Sequence, residues 1–195
     1  MAAAFLRGRC PRVERLGRLE LRRWLGRCWL AHFACHAEFD AKRPLAACLR
    51  LPSGEAVHAL EWLEEPVRGV RLVTLSACRA AQVGPVAGGE VFGLVGGLLG
   101  GGARAVVAGL WPVADEETPP LMWSFYRHLL RESLPAALAR AQREALSDPD
   151  GSPLFWAAFA LFGDPDAVRP PSVPWRWLAS WRQRHHAQRY PGPSG

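Results

Sequence analysis

Lysine is nearly missing from this chain: Lys42 stands alone among 24 Lys and Arg residues, so arginine supplies the basic side of a formal net charge of +6. The arginines crowd the two ends. Arg7, Arg9, Arg12, Arg15, Arg18, Arg22, Arg23 and Arg27 lie in the first 30 residues, and Arg169, Arg176, Arg182, Arg184 and Arg189 lie near the other end. Basic ends can bind nucleic acid, but no zinc-finger spacing and no aromatic RNA-binding motif accompanies them. They read as solvated tails, and no specific nucleic-acid partner is expected. A disulfide frame is missing too. The five cysteines are odd in number and irregular in spacing, which points to reduced thiols and a cytoplasmic setting. No signal peptide is legible, because arginines interrupt every apolar stretch before Trp29. A membrane-length run is also lacking. Residues 91–103 and 105–111 are uncharged, but Arg104 divides them and neither approaches the ~20 apolar residues of a span. The six glycines from Gly93 to Gly102 contain no Gly-Lys-Ser/Thr and close a helix instead of opening one, which argues against phosphate binding.

What is present is a globular composition, 49% hydrophobic over 195 residues, enough for one domain with tails. Residues 28–34 form a short apolar run, as a buried strand would. Residues 45–51 and 56–60 flank Pro52-Ser53-Gly54, which is hairpin chemistry. Residues 70–77 and 104–110 read as buried strands. Between them, residues 90–99 form a helix that Gly100-Gly101-Gly102 stops. Helices are expected over 115–131 and 134–146, and a final apolar strand over 154–162. Alternating strands and helices predict an α/β fold, with a largely parallel sheet covered by helices on both faces. Strands 28–34, 72–78 and 104–110 are expected to be parallel neighbours with right-handed crossovers. Residues 1–27 read as a poorly ordered basic leader. Residues 165–195 form a tail rich in Pro, Trp and Arg, in which Trp175, Trp177 and Trp181 offer a surface for docking back.

Cys78 ends a predicted central strand, at the carboxyl edge where open α/β sheets collect their sites. A thiol there can be deprotonated and attack a carbonyl. His36 ends the preceding strand and comes out on the same edge, where its imidazole can accept the thiol proton and return it to a leaving amine. His32 shares the face of His36, so register alone does not separate the two. Position selects His36 and leaves His32 as a buried, hydrogen-bonded histidine. A zinc site from His32, Cys35 and His36 lacks a second ligand pair at metal spacing, and a strand sends Cys35 to the other face. Neither a metal nor any other cofactor is expected.

His32-Phe33-Ala34-Cys35-His36, Leu72-Val73-Thr74-Leu75-Ser76-Ala77-Cys78, Glu90-Val91-Phe92-Gly93-Leu94, Gly102-Ala103-Arg104-Ala105-Val106-Val107-Ala108-Gly109-Leu110-Trp111-Pro112-Val113-Ala114-Asp115, Phe125-Tyr126, Ala141-Gln142 and Trp156-Ala157-Ala158-Phe159 occur in consistent order. Together, over residues 28–164, they resemble the CHAT domain, a caspase-like cysteine peptidase family usually found beside tetratricopeptide repeats. The resemblance implies a caspase-like three-layer α/β fold. It implies a Cys78–His36 dyad acting on a protein or peptide substrate, and an oxyanion hole from the backbone N–H groups of Ala37 and Cys78. It also implies a tetratricopeptide-repeat partner or region. The chain departs from the family at three places. Ala37 replaces a usual Gly. Arg79 and Ala80 replace an acidic residue and Thr, making Arg79 a substrate-pocket candidate that favours a thiolate and repels basic side chains. The leader also stands where the family has further strand and helix, so the chain reads as a fragment of a longer protein or as an N-terminally truncated domain, with the histidine strand or its neighbour left as an exposed sheet edge. These departures support a second reading, a catalytically impaired CHAT-fold regulatory or protein-interaction module.

Overall fold

The computed structural model describes residues 2–5, 17–38, 43–65, 67, 69–76, 89–111, 113, 118–147 and 152–166. Its main sheet has five strands in the order β1 (Ala2–Phe5), β2 (Leu30–Phe33), β6 (Leu72–Leu75), β7 (Ala105–Gly109) and β8 (Phe159–Gly163). The central three are parallel: Leu30 pairs with Leu72, and Leu72 in turn with Ala105. Both edge strands run antiparallel to their neighbours. The parallel trio matches the sequence expectation, and α3 (Gly89–Gly100) is its crossover helix between β6 and β7. Every residue of β2 and β6 is buried, as the continuous apolar runs of a parallel sheet require.

Strand alternation divides the core in two. Ala31, Phe33, Val73, Leu75, Val106 and Ala108 join one cluster with residues of α1 (Arg18–Leu25), α2 (Ala59–Glu64) and α3. Leu30, Leu72, Ala105 and Val107 join the other, with α4 (Thr118–Leu129) and α5 (Leu134–Leu146). A small antiparallel sheet of β3 (Ala37–Glu38), β4 (Cys48–Arg50) and β5 (Ala56–His58) adjoins the first cluster. Its β4–β5 pair is the hairpin expected around Pro52-Ser53-Gly54, and Gly54 adopts φ +88° at the turn.

The leader departs from expectation over two stretches. Residues 2–5 pair with β2 in register from Ala2–Phe33 to Phe5–Leu30, so β2 is not the sheet's edge. Residues 18–25 form α1, which buries Leu21 and Leu25. Two of its three arginines form ion pairs as well. Arg18 bonds Glu61 at 2.7 Å, and Arg22 bonds Glu65 at 2.5 Å. Residues 154–162 are a second correction. They are not one strand, because Ser152 caps and Pro153 starts a helical turn, α6 (Pro153–Trp156), before β8 begins. Gln142 Nε2 fastens that junction by donating to the carbonyls of Trp156 and Phe159.

Helices α4 and α5 are clamped through Glu144. It accepts from Ser124 Oγ at 2.5 Å, from Arg127 at 2.8 Å and pairs with His128 at 2.8 Å. Partial burial pushes the Glu144 carboxyl up. The Ser124 and His128 hydrogen bonds and the Arg127 charge outweigh it and hold the group below the usual carboxylate range.

Candidate active site

The parallel register sends the carboxyl ends of β2, β6 and β7 to one edge of the sheet. His36 lies just past β2 and is exposed. Its carbonyl accepts from Arg50 N–H at 2.8 Å, which anchors this segment to β4. That bond makes residues 36 and 50 the hydrogen-bonded pair of the ladder. Ala37 and Leu49 are then the non-bonded pair, and the Ala37 N–H points away from β4. Among the described residues β3 is an edge strand, with no further strand on that side. Glu38 accepts from Nε and Nη2 of the Arg50 guanidinium, each at 2.7 Å, and these bonds keep its carboxyl below the usual range.

β6 continues to Ser76, whose N–H donates to the Phe33 carbonyl at 2.9 Å and extends the β2–β6 ladder. Cys78 and Arg79, read from the sequence as nucleophile and substrate-pocket candidate, lie outside the described residues, as do Ala80 and the tail tryptophans.

His32 is 4% exposed. Its Nδ1 is 2.7 Å from Tyr126 Oη and its Nε2 is 2.6 Å from Ser76 Oγ. The sequence reading of His32 as a buried, hydrogen-bonded histidine therefore holds. Both ring nitrogens are engaged by hydroxyls, which leaves neither directed toward a zinc ion shared with Cys35. No group of three metal-ligating side chains occurs among the described residues. The two hydroxyl partners escape sequence reasoning. A strand histidine flanked by Ala31 and Phe33 signals that partners are required, but not which residues they are.

Three other cysteines can be compared. Cys28, Cys35 and Cys48 are buried free thiols. Burial pushes Cys28 and Cys35 up to about 12, and burial together with the nearby Glu38 also raises Cys48. At neutral pH the thiolate fraction of a group near 12 is roughly 10⁻⁴ or less. Iodoacetamide at neutral pH should therefore leave Cys28 and Cys35 unmodified in the folded protein and label both in guanidinium. Rapid native labelling of either, read by peptide mass mapping, would contradict their burial.

No helix among the described residues is long and apolar enough to cross a membrane. No curated protein matches the chain. The CHAT domain family model matches residues 11–164, starting upstream of the segment that carries the sequence motifs and taking in α1. With its motifs in order on a parallel-centred α/β sheet, and that match spanning most of its length, the chain belongs to the CHAT domain family.

Proposed function

We propose that this CHAT domain is a cysteine endopeptidase of caspase-like, three-layer fold that hydrolyses peptide bonds of a protein substrate with a Cys78–His36 dyad. The observation that carries the reading is the β2–β6 register. Phe33 pairs with Leu75, and the ladder runs on through Ser76. In the sequence, His36 follows the end of β2 and Cys78 follows the end of β6 by three residues each, after two parallel strands that end at the same edge of the sheet.

In this mechanism the His36 imidazole takes the Cys78 proton, and the thiolate attacks the scissile carbonyl carbon. The carbonyl π electrons move to oxygen. The oxyanion is received by the N–H groups of Ala37 and Cys78, and the outward direction of the Ala37 N–H suits that part. The imidazolium then protonates the leaving amine as the C–N bond breaks. Water, deprotonated by His36, releases the acyl group from sulfur and restores the thiol. No cofactor takes part. Arg79, next to the nucleophile, favours the thiolate and disfavours basic side chains in the substrate. The setting is cytoplasmic, and a tetratricopeptide-repeat region or protein is the regulatory partner.

One observation bears on the second reading, a catalytically impaired interaction module built on this fold. Ala37 stands where the family usually has Gly, but it lies in the extended strand β3, where a Cβ carries no backbone penalty. That favours the peptidase.

A cysteine-directed probe decides between them. At about pH 6, Cys78 should label faster than Cys28, Cys35 and Cys48. His36→Ala should slow Cys78 by roughly 10²-fold, the gap between a His-paired and an ordinary thiol. Cys78 labelling no faster than the buried thiols, or at a rate indifferent to His36, would leave the interaction module standing.

A further inference from the structure

Tyr126, His32 and Ser76 form a hydrogen-bonded polar chain in a largely apolar layer that also holds Thr74, the β6 residue paired with His32. They come from α4, β2 and the end of β6, and their exposures are 1%, 4% and 8%. An apolar residue at position 32 would fill the same space with no polar group to satisfy. A buried imidazole is costly unless both nitrogens are bonded, and here they are bonded at 2.7 and 2.6 Å. A neutral imidazole donates at one nitrogen and accepts at the other, so the chain has a defined direction in either tautomer. Its far end is fixed by the Ser76 N–H, which donates to the Phe33 carbonyl at 2.9 Å; Ser76 Oγ, 3.4 Å from the same carbonyl, donates to it in the tautomer whose His32 Nε2–H donates to Oγ.

We propose that Tyr126–His32–Ser76 is a positioning relay for the nucleophile. It locks the carboxyl end of β6 to that of β2 and ties both to α4. The inference rests on the dyad reading above, in which those two strand ends carry Cys78 and His36. Ser76 lies two residues before Cys78, so its tether to His32 sets where the chain leaves the sheet, and hence the sulfur's distance from the His36 ring. A misplacement near 1 Å can lower reactivity by up to ~10²-fold. None of the three residues is assigned contact with substrate. They act through Cys78.

The test uses the full chain with Tyr126→Phe, which keeps the buried ring, and Ser76→Ala, with Ser76→Thr as the conservative rescue. The readouts are the melting temperature and the pH dependence of Cys78 alkylation by iodoacetamide, resolved by peptide mapping. Tyr126→Phe and Ser76→Ala should remain folded, slow Cys78 by about tenfold at neutral pH and move its midpoint up toward the ~8.5 of a free cysteine. Ser76→Thr should restore the parent profile. A role confined to stability would shift melting and leave the profile in place. Parent-like rates and midpoints in both disrupting variants would overturn the relay. If Ser76→Ala does not fold, Tyr126→Phe decides alone. His36→Ala separates the two failures. A parent-like Cys78 profile in His36→Ala removes the dyad and the relay with it. A changed profile there, with parent-like profiles in the other two, removes the relay only.

Discussion

Gly97→Ala is expected to destabilise the domain by about 2–3 kcal/mol, while Gly96→Ala, one residue earlier in the same helix, stabilises it by up to about 1 kcal/mol. The two glycines share helix propensity and differ in what their missing side chains face. A Cβ on Gly97 would overlap the Ala59 carbonyl oxygen and lie 3.0 Å from its carbon and 3.1 Å from its Cα. These are backbone atoms of α2, which cannot swing aside as a side chain does. Gly101, one turn on, meets the Trp62 carbonyl of α2 in the same way. α3 therefore packs on α2 with backbone against backbone, and a methyl group must push the two helices apart. Gly96 is exposed with nothing within 4 Å of a Cβ, so alanine there brings only its better helix propensity. Thermal melts of the two variants measure the contrast. Gly97→Ala melting at or above Gly96→Ala would show that the helices separate at little cost.

Deleting residues 1–5 should make the protein self-associate more strongly than the full chain does. Among the described residues β1 is the outermost strand on that side of the sheet, and its pairing runs along all of β2. At roughly 1 kcal/mol net per backbone hydrogen bond, losing a four-residue ladder costs about 2–4 kcal/mol. The greater consequence is the bare edge. β2 is apolar apart from His32 and contains no proline, so its unpaired N–H and C=O groups would template pairing with another chain. Light scattering on a sizing column, for the full and shortened chains at matched concentration, gives the result. A shortened chain with the same association state and melting temperature as the full chain would show that β1 protects nothing.

The leader is where local pattern misleads. Ala2-Ala3-Ala4 has the highest helix propensity of any residue type and low strand propensity, and Arg7, Arg9 and Arg12 follow closely. Nothing local marks residues 2–5 as a strand; the open edge of β2 does. α1 is similarly obscured by Gly17 and Gly26. Its stability comes from Leu21 and Leu25 in the core and from ion pairs to Glu61 and Glu65, some forty residues away in sequence.

By itself the sequence determined the three parallel strands, the glycine-ended crossover helix, the extent of α5 and the burial of His32. Each depends on hydrophobic period, turn residues or burial cost within a short window, and local chemistry is enough to read them. Only the tertiary structure decided that β1 covers β2, that α6 interrupts the last apolar run before β8, and that Tyr126 and Ser76 complete His32. Tyr126 and His32 lie 94 residues apart. No local pattern joins them: the contact exists because α4 packs across the same face of the sheet that carries His32, and an imidazole buried there must find its partners among whatever residues the fold brings within about 3 Å.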